Sequence, residues 1–411
     1  MNGLSRILLS VLRLVFGVTF IVSGVLKLID PVGTGLVISE YFTAFSLTFL
    51  KPSAAFFGVL LSILELIVGM AVLIRIRIVF FSLVALCLTC IFTIVTFILF
   101  KFNPIQDCGC FGEAIHLTNA QTFVKNLILL TCIVPIFTVR KCFSEMADSW
   151  KEWIYLSLHV LLALVLVIYV LKNGPVAEFG DFRVGTYIPE KMESAWTGES
   201  SDIYVYEKDG ETCEFLLSGI PDSTWTFVEM IPAAAREEQS PVFDFAVSDL
   251  FGEYVTDTLL HHTGPVVLFS VYAPQALEQD DWDAIVQEAA SLEKEGILSR
   301  VLVTHGGECP DSLAHLFGVS DYKTLISLSR INGGVVMLHS GSVMKKGSHV
   351  ELDSEEVKSI IARDADETIN SVCVREQIFI ETMFLFLLLS MILFRFSFKF
   401  SSRHRTDSEN I

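Results

Sequence analysis

The stretch "RLVFGVTFIVSGVLKLIDP", Arg13 to Pro31, decides what kind of protein this is. It lies in an apolar run over residues 7–29, long enough to cross a bilayer's hydrocarbon core as a helix, for which roughly 20 residues suffice. The run is too long for a secretory signal and no small-residue cleavage site follows it, so it is expected to stay as an anchor. Five further apolar runs follow at residues 54–74, 78–100, 122–139, 153–171 and 378–394, and six membrane spans are expected.

Charge divides the chain into two materials. Residues 172–377 hold 36 Asp and Glu against 14 Lys and Arg, so the formal net charge of −18 belongs to one soluble portion. Such acidity argues against nucleic acid or anionic lipid as its partner. Short basic loops set the orientation: Arg6, Arg75 with Arg77, Arg140 with Lys141 and Lys151, and Arg395, Lys399, Arg403 and Arg405 are expected on the cytoplasmic side. The loop "IQDCGCFGEAIHL", Ile105 to Leu117, and the acidic portion then both face outward, which for a bacterial inner membrane is the oxidising side where disulfides persist.

Within the soluble portion, "DIYVYEKDGETCEFLL" alternates and is broken by Asp209-Gly210, a two-residue hairpin signal, so a small β-rich module is expected over 173–240. Beyond Phe243, "PVVLFSVYA" reads as a buried strand, and "DWDAIVQEAASLEKEGIL" places Trp282, Ile285, Val286, Ala289 and Leu292 on one helical face. A strand at "RVLVTH", a short helix near "SLAHLFG", a hairpin in "GVVMLHSGSVMKKG" and a helix opening at Ser354, the expected N-cap, complete the order β-α-β-α-β-β-α.

Cys108 and Cys110 are the leading chemical candidates. A disulfide across one residue is sterically tight and easier to reduce than a relaxed one. Gly109 removes a Cβ from the turn, Gly112 adds freedom, and Phe111 completes the motif. The pair reads as a redox couple, as a static loop disulfide or inert thiols, or as metal ligands; for metal only His116 is near, with no second Cys pair at zinc-like spacing, and no metal site is assigned. Cys87 and Cys90 form a CxxC inside the third span, read either as an electron relay or as small buried packing residues, the reading also given to Cys132 and Cys142. Arg13 and Glu65 are costly inside a membrane and are expected to pair across the first two spans, with Gly17 and Gly69 letting the backbones approach. That pair reads as a quinone or proton site, or as an ion pair fixing helix register. Lys27 is expected to snorkel outward near Asp30, and His159 is given no role.

The first span, a mid-membrane Glu65 in "LELIVGM", and "DCGCFGE" after the third span together resemble the DoxX/MauE group of four-helix membrane proteins. The resemblance covers about residues 5–140 and implies a four-helix unit over residues 1–145; the apolar runs and the charge add a fifth span at 146–172, a sixth at 376–396 after the soluble portion, and a cytoplasmic basic tail at 397–411. It also implies methylamine-utilisation-type chemistry, since MauE is associated with disulfide formation during maturation of methylamine dehydrogenase. The soluble part over 241–372 resembles a thioredoxin-like domain, but the CxxC position reads Ala273-Pro274-Gln275-Ala276 and the family's cis-proline is replaced by Asn332-Gly333-Gly334. Dithiol catalysis is therefore expected to be lost there. Cys213, Cys309 and Cys373 remain, and a Cys213–Cys309 bridge is one pairing the sequence admits.

The expected fold is thus an α-helical membrane bundle carrying an α/β thioredoxin-like domain. The expected function is thiol-disulfide redox or protein maturation through Cys108 and Cys110 on an extracytoplasmic protein partner, with quinone as the candidate cofactor; the alternative is a non-enzymatic membrane scaffold.

Overall fold

The structure, a computed structural model, describes residues 3–105, 108–143, 149–197, 203–208, 211–216, 225–231, 245–304 and 311–408. The chain opens with α1 (Gly3–Ile29), α2 (Pro31–Ala44), α3 (Ala54–Ile74), α4 (Ile78–Phe102), β1 (Cys110–Glu113), α5 (Asn119–Thr138) and α6 (Ser149–Asn173). Among the described residues, six helices are long and apolar enough to cross a membrane: α1, α3 with the turn before it, α4, α5, α6 and the last helix. The chain is a multi-pass membrane protein.

Glycines bring α1 and α3 into backbone contact. A Cβ on Gly24 would lie 2.7 Å from Leu66 N and Ser62 O, and one on Gly17 would lie 2.8 Å from the Leu73 Cβ and 3.0 Å from Gly69 O. Small residues are what permit such approach where lipid supplies no hydrophobic drive between helices. These contacts also set the antiparallel register, with Gly24 opposite Leu66 and Gly17 opposite Leu73. Position 25 therefore faces Glu65, and Arg13 lies roughly 18 Å further along the axis at 1.5 Å per residue.

Local chemistry fixes the corners. Asp30 caps α2 by accepting from Gly33 N at 2.8 Å, with Pro31 in the first turn. Arg75 (φ 67°) and Arg77 (φ 40°) make the tight turn between α3 and α4. Thr118 and Gln121 cap α5 reciprocally. The helix α2, unforeseen in the first outer loop, lies against the start of α3, where a Cβ on Gly35 would sit 3.0 Å from the Ala55 Cα.

The rest comprises α7 (Ile188–Thr197), β2 (Ile203–Lys208), β3 (Glu211–Leu216), β4 (Thr226–Ile231), α8 (Thr256–Leu260), β5 (Pro265–Val271), α9 (Gln279–Lys294), β6 (Leu298–Val303), β7 (Phe317–Val319), α10 (Tyr322–Leu328), β8 (Gly334–His339), β9 (Ser342–Ser348), α11 (Ser354–Ile361) and α12 (Ala365–Ser408). Strands β3, β2 and β4 form a small antiparallel sheet in which Lys208 pairs with Glu211 across a two-residue connection. Asp209-Gly210 itself lies outside the described residues.

The second sheet has the order β7-β6-β5-β8-β9, with β5, β6 and β7 parallel and β8 and β9 antiparallel. In the central strand Val266 and Leu268 enter one core while Val267, Phe269 and Val271 enter the other. Burial on both faces is why "PVVLFSVYA" is apolar without alternation. Ile285, Ala289 and Leu292 of α9, and Val357 and Ile360 of α11, fill the second core.

Three local expectations change. The helix between β6 and β8 is α10, preceded by a 3-10 turn at Asp311–Leu316 and the edge strand β7. The N-cap of α11 is Asp353, which accepts from Glu355 N and Glu356 N, because a carboxylate receives two orphan amides at once; Ser354 is the first helical residue. The last helix begins at Ala365, well before the apolar run, so its first turns pack on the soluble sheet.

Enlarging the crossing tests this register. Gly24→Val should lower the detergent-solubilised protein's unfolding free energy by about 1–3 kcal/mol, the usual cost of overpacking, whereas Gly3→Ala, with nothing within 4 Å of its added Cβ, should leave the thermal midpoint unchanged.

Candidate functional site

The site is assembled at the end of the bundle where α1 ends. Lys27 Nζ lies 2.8 and 2.9 Å from the two carboxylate oxygens of Glu65, and both residues are buried, 6% and 2% exposed. Ser23, one turn earlier on α1, donates to Glu65 Oε2 at 2.7 Å and lies 2.6 Å from the Cys110 carbonyl oxygen. The ion pair is thereby tied to the cysteine loop.

This corrects two expectations. Arg13 does not meet Glu65, because the glycine-set register carries it a long way down α1; its guanidinium lies 3.3 Å from Ser10 Oγ and 5.5 Å from the centre of the Phe143 ring. Lys27 does not snorkel, because Glu65 lies within reach in the interior, and Asp30 is engaged elsewhere. Lys27 neutralises Glu65, and Ser23, four residues earlier on the same helical face, completes the hydrogen bonding.

Gly109 (φ +61°) and Gly112 (φ +62°) occupy left-handed conformations, and a Cβ on Gly109 would lie 2.6 Å from Val37 Cγ1 of α2. The turn between them folds the loop back so that Cys108 Sγ and Cys110 Sγ stand 3.0 Å apart. Tyr41 of α2 donates its hydroxyl towards the Cys108 carbonyl and Sγ, each at 3.0 Å. Lys125 Nζ of α5 stands 4.8 Å from the centre of the Phe111 ring.

The two sulfurs are not equivalent. The hydrogen bond from Cys108, with Lys125 and Lys27 nearby, outweighs burial and pulls the Cys110 thiol down to about 6. The same hydrogen bond, reinforced by burial, pushes Cys108 far up. Both shifts favour the thiolate at Cys110 and the thiol at Cys108, and the thiolate is the nucleophile of sulfur chemistry.

A cavity of about 210 Å³ opens beside the pair, lined by Ser23, Lys27, Glu65, Lys125 and Asn126 together with apolar residues of α1 to α5. Cys87 is exposed on the outer surface of α4 and Cys90 is half-buried, and neither lines this cavity. Cys132 is buried in the bundle core and Cys142 is exposed. His159 is held by Tyr155 O at 2.9 Å and Ser390 Oγ at 3.1 Å, joining α6 to α12. Cys373 is exposed near the start of α12, and Cys309, half of the bridge the sequence admitted, lies outside the described residues.

The soluble sheet sits at the same end. Arg330, just before β8, is 3.0 Å from Asp30 Oδ2 through its Nε and also pairs with Glu113, the residue ending the cysteine strand. Burial works against its charge, but Asp30 and Glu113 more than compensate and hold the guanidinium fully protonated. Lys323 adds a 3.2 Å pair with Glu40 of α2. Asn332 bonds the backbone of Ala273 from both sides, accepting from Ala273 N at 3.0 Å and donating to Ala273 O at 2.8 Å. Arg330 escaped the sequence reading, although a cation beside the Asn332-Gly333-Gly334 turn is rare in so acidic a region.

The ion pair invites a double-mutant cycle. Lys27→Met and Glu65→Gln should each destabilise the bundle by about 3–5 kcal/mol, because each strands a buried partner, while Lys27→Met with Glu65→Met should cost much less. Unfolding in mixed micelles checks this.

Residues 5–139 match the family described as Methylamine utilisation protein MauE, and residues 203–234 match a domain of unknown function (DUF8463). No curated protein and no solved structure matches the chain. The helices that hold Lys27 and Glu65, and the loop with the paired cysteines, fall within the first match, so it is this membrane-spanning part of the chain that is similar to the MauE family.

Proposed function

We propose that this protein is a thiol-disulfide exchange factor of the extracytoplasmic side of a bacterial inner membrane, in which Cys108 and Cys110 pass a disulfide to a maturing protein. The observation that carries the reading is the geometry of the sulfur pair: Cys108 Sγ and Cys110 Sγ stand 3.0 Å apart in a loop turned by Gly109 and Gly112, with Tyr41 on Cys108 alone; the downward shift at Cys110 and the upward shift at Cys108 agree with it. A disulfide whose reduced form leaves a stabilised thiolate is easily given up, so the pair suits an oxidant of other thiols. Cys110 is the more accessible of the two and is where a partner's thiolate attacks; Cys108, held by Tyr41, is the sulfur released first. The partner's second thiol then displaces Cys110, leaving the partner oxidised and both cysteines reduced.

The basic turns Arg75, Arg77 and Arg140 at the opposite end of the bundle support the outward orientation. The order β6-β5-β8-β9, with helices before and after β6, supports a thioredoxin-like reading of the soluble domain, whose face at Ala273 and Asn332 carries no dithiol. Its role is to stand over the cysteine loop, anchored by Arg330 on Asp30 and Glu113, and to present the partner.

A second reading, a membrane scaffold without redox turnover, is favoured by one observation: the side chain of Asn332 fills the place beside Ala273 with its own hydrogen bonds. The two readings separate in cells. Cys108→Ala should accumulate a reductant-sensitive adduct of higher mass through Cys110, Cys110→Ala should not, and either should leave some extracytoplasmic protein with its thiols reduced. Unchanged thiol states across that proteome, with no adduct, would exclude exchange and leave scaffolding.

A further inference from the structure

We infer that the cavity beside Cys108 and Cys110 binds the ring of an isoprenoid quinone, which reoxidises the pair. The inference rests on the exchange reading and names the electron acceptor that reading requires.

Three observations point to an amphiphile with a polar ring and an apolar tail. First, the cavity of about 210 Å³ lies among membrane-spanning helices, yet one end gathers Ser23, Lys27, Glu65, Lys125 and both cysteines, while Leu61, Ile91 and Val95 line its apolar part. That volume admits one substituted ring and excludes a peptide. Second, an almost wholly apolar groove of about 430 Å³ between α1 and α5, with Val15, Val124 and Ile128, shares Thr19, Lys125 and Leu129 with the cavity and prolongs it along the bundle surface. A ring in the cavity can therefore trail a chain along the lipid-facing surface, where Val15, Val124 and Ile128 are exposed. Third, Asn126, which lines the cavity and is 1% exposed, uses its amide nitrogen on Phe92 O and Thr96 Oγ1 but leaves its Oδ1 with no hydrogen-bond partner among the described residues. A buried acceptor without a donor is costly, and the O–H of a hydroquinone supplies one.

The chemistry balances on these residues. The Cys110 thiolate and the Cys108 thiol lose two electrons to the quinone ring as a bond forms between their sulfurs. The Cys108 S–H bond breaks and its proton goes to one quinone oxygen. The Lys125 ammonium, beside Cys110, gives the second proton and recovers it from water. The products are the disulfide and a hydroquinone, which leaves through the groove. Lys27, fixed on Glu65, keeps positive charge near the ring oxygen while negative charge accumulates there.

The test uses the purified, reduced full-length protein in nanodiscs without oxygen, and a fully substituted benzoquinone bearing a decyl chain, whose ring has no free position for conjugate addition of a thiol. The expected result is loss of one quinone per protein, with Cys108 and Cys110 becoming resistant to alkylation together, and no loss in Cys108→Ser or Cys110→Ser. Leu61→Trp and Ile91→Trp, which fill the cavity, should cut quinone reduction at least tenfold while Cys110 in the reduced protein is alkylated at the wild-type rate. A reduced protein that ignores the quinone, but is oxidised by a disulfide-bearing peptide, overturns the quinone inference and leaves the exchange reading standing. If neither oxidant yields a Cys108–Cys110 disulfide, both fall. Reduction at wild-type rates in both tryptophan variants removes the cavity from the account.

Discussion

The ion pair between Lys27 and Glu65 is the interaction on which the rest of the bundle depends. A carboxylate and an ammonium in a membrane interior are each expensive, and their attraction offsets that cost only when geometry is good and further hydrogen bonds complete it. Here Ser23 supplies the further bond and, through the Cys110 carbonyl, ties the charged cluster to the loop. Glycines at positions 17, 24 and 69 hold α1 and α3 close enough for the pair to form. The cost of burying these charges thus ends as a fixed position for two sulfurs.

Charge also organises the junction between the two halves of the chain. The soluble portion is strongly acidic, yet it meets the bundle through a cation, Arg330, received by Asp30 and Glu113. Asp30 caps α2 and Glu113 ends the strand that begins at Cys110, so one guanidinium grips both elements flanking the thiols. The soluble face at Ala273 to Ala276 carries no cysteine, whereas Cys108 and Cys110 lie together in the loop between α4 and α5.

Much of this was legible in the sequence. Six spans followed from apolar length, the two-faced burial of β5 from its unbroken apolar run, and the special role of the glycines around Cys108 and Cys110 from the demand of a one-residue turn. The partner of Glu65 was not legible, because depth along a helix was judged from the ends of apolar runs, whereas Gly24 and Gly17 set the actual register. The helix α2 was missed because its sequence is not strongly patterned and its place depends on Asp30, Pro31 and the close fit of Gly35 on Ala55. Tyr41 and Lys125 come to the thiols, and Arg330 to Glu113 at the end of the cysteine strand, from distant parts of the chain, contacts that only tertiary structure creates.

The central claim is that the loop holds one thiolate and one thiol rather than two equivalent thiols, and the pH dependence of alkylation tests it most directly. With the reduced protein, the rate at Cys110 should fall away as pH drops through about 6 and stay level above neutrality, since its thiolate is present above that value and lost below it. Cys108 should stay unreactive throughout, and Cys108→Ala, which removes the donated hydrogen bond, should move the Cys110 midpoint upward. Equal rates at both cysteines, rising together in the ordinary thiol range at roughly pH 8.5, would contradict the account.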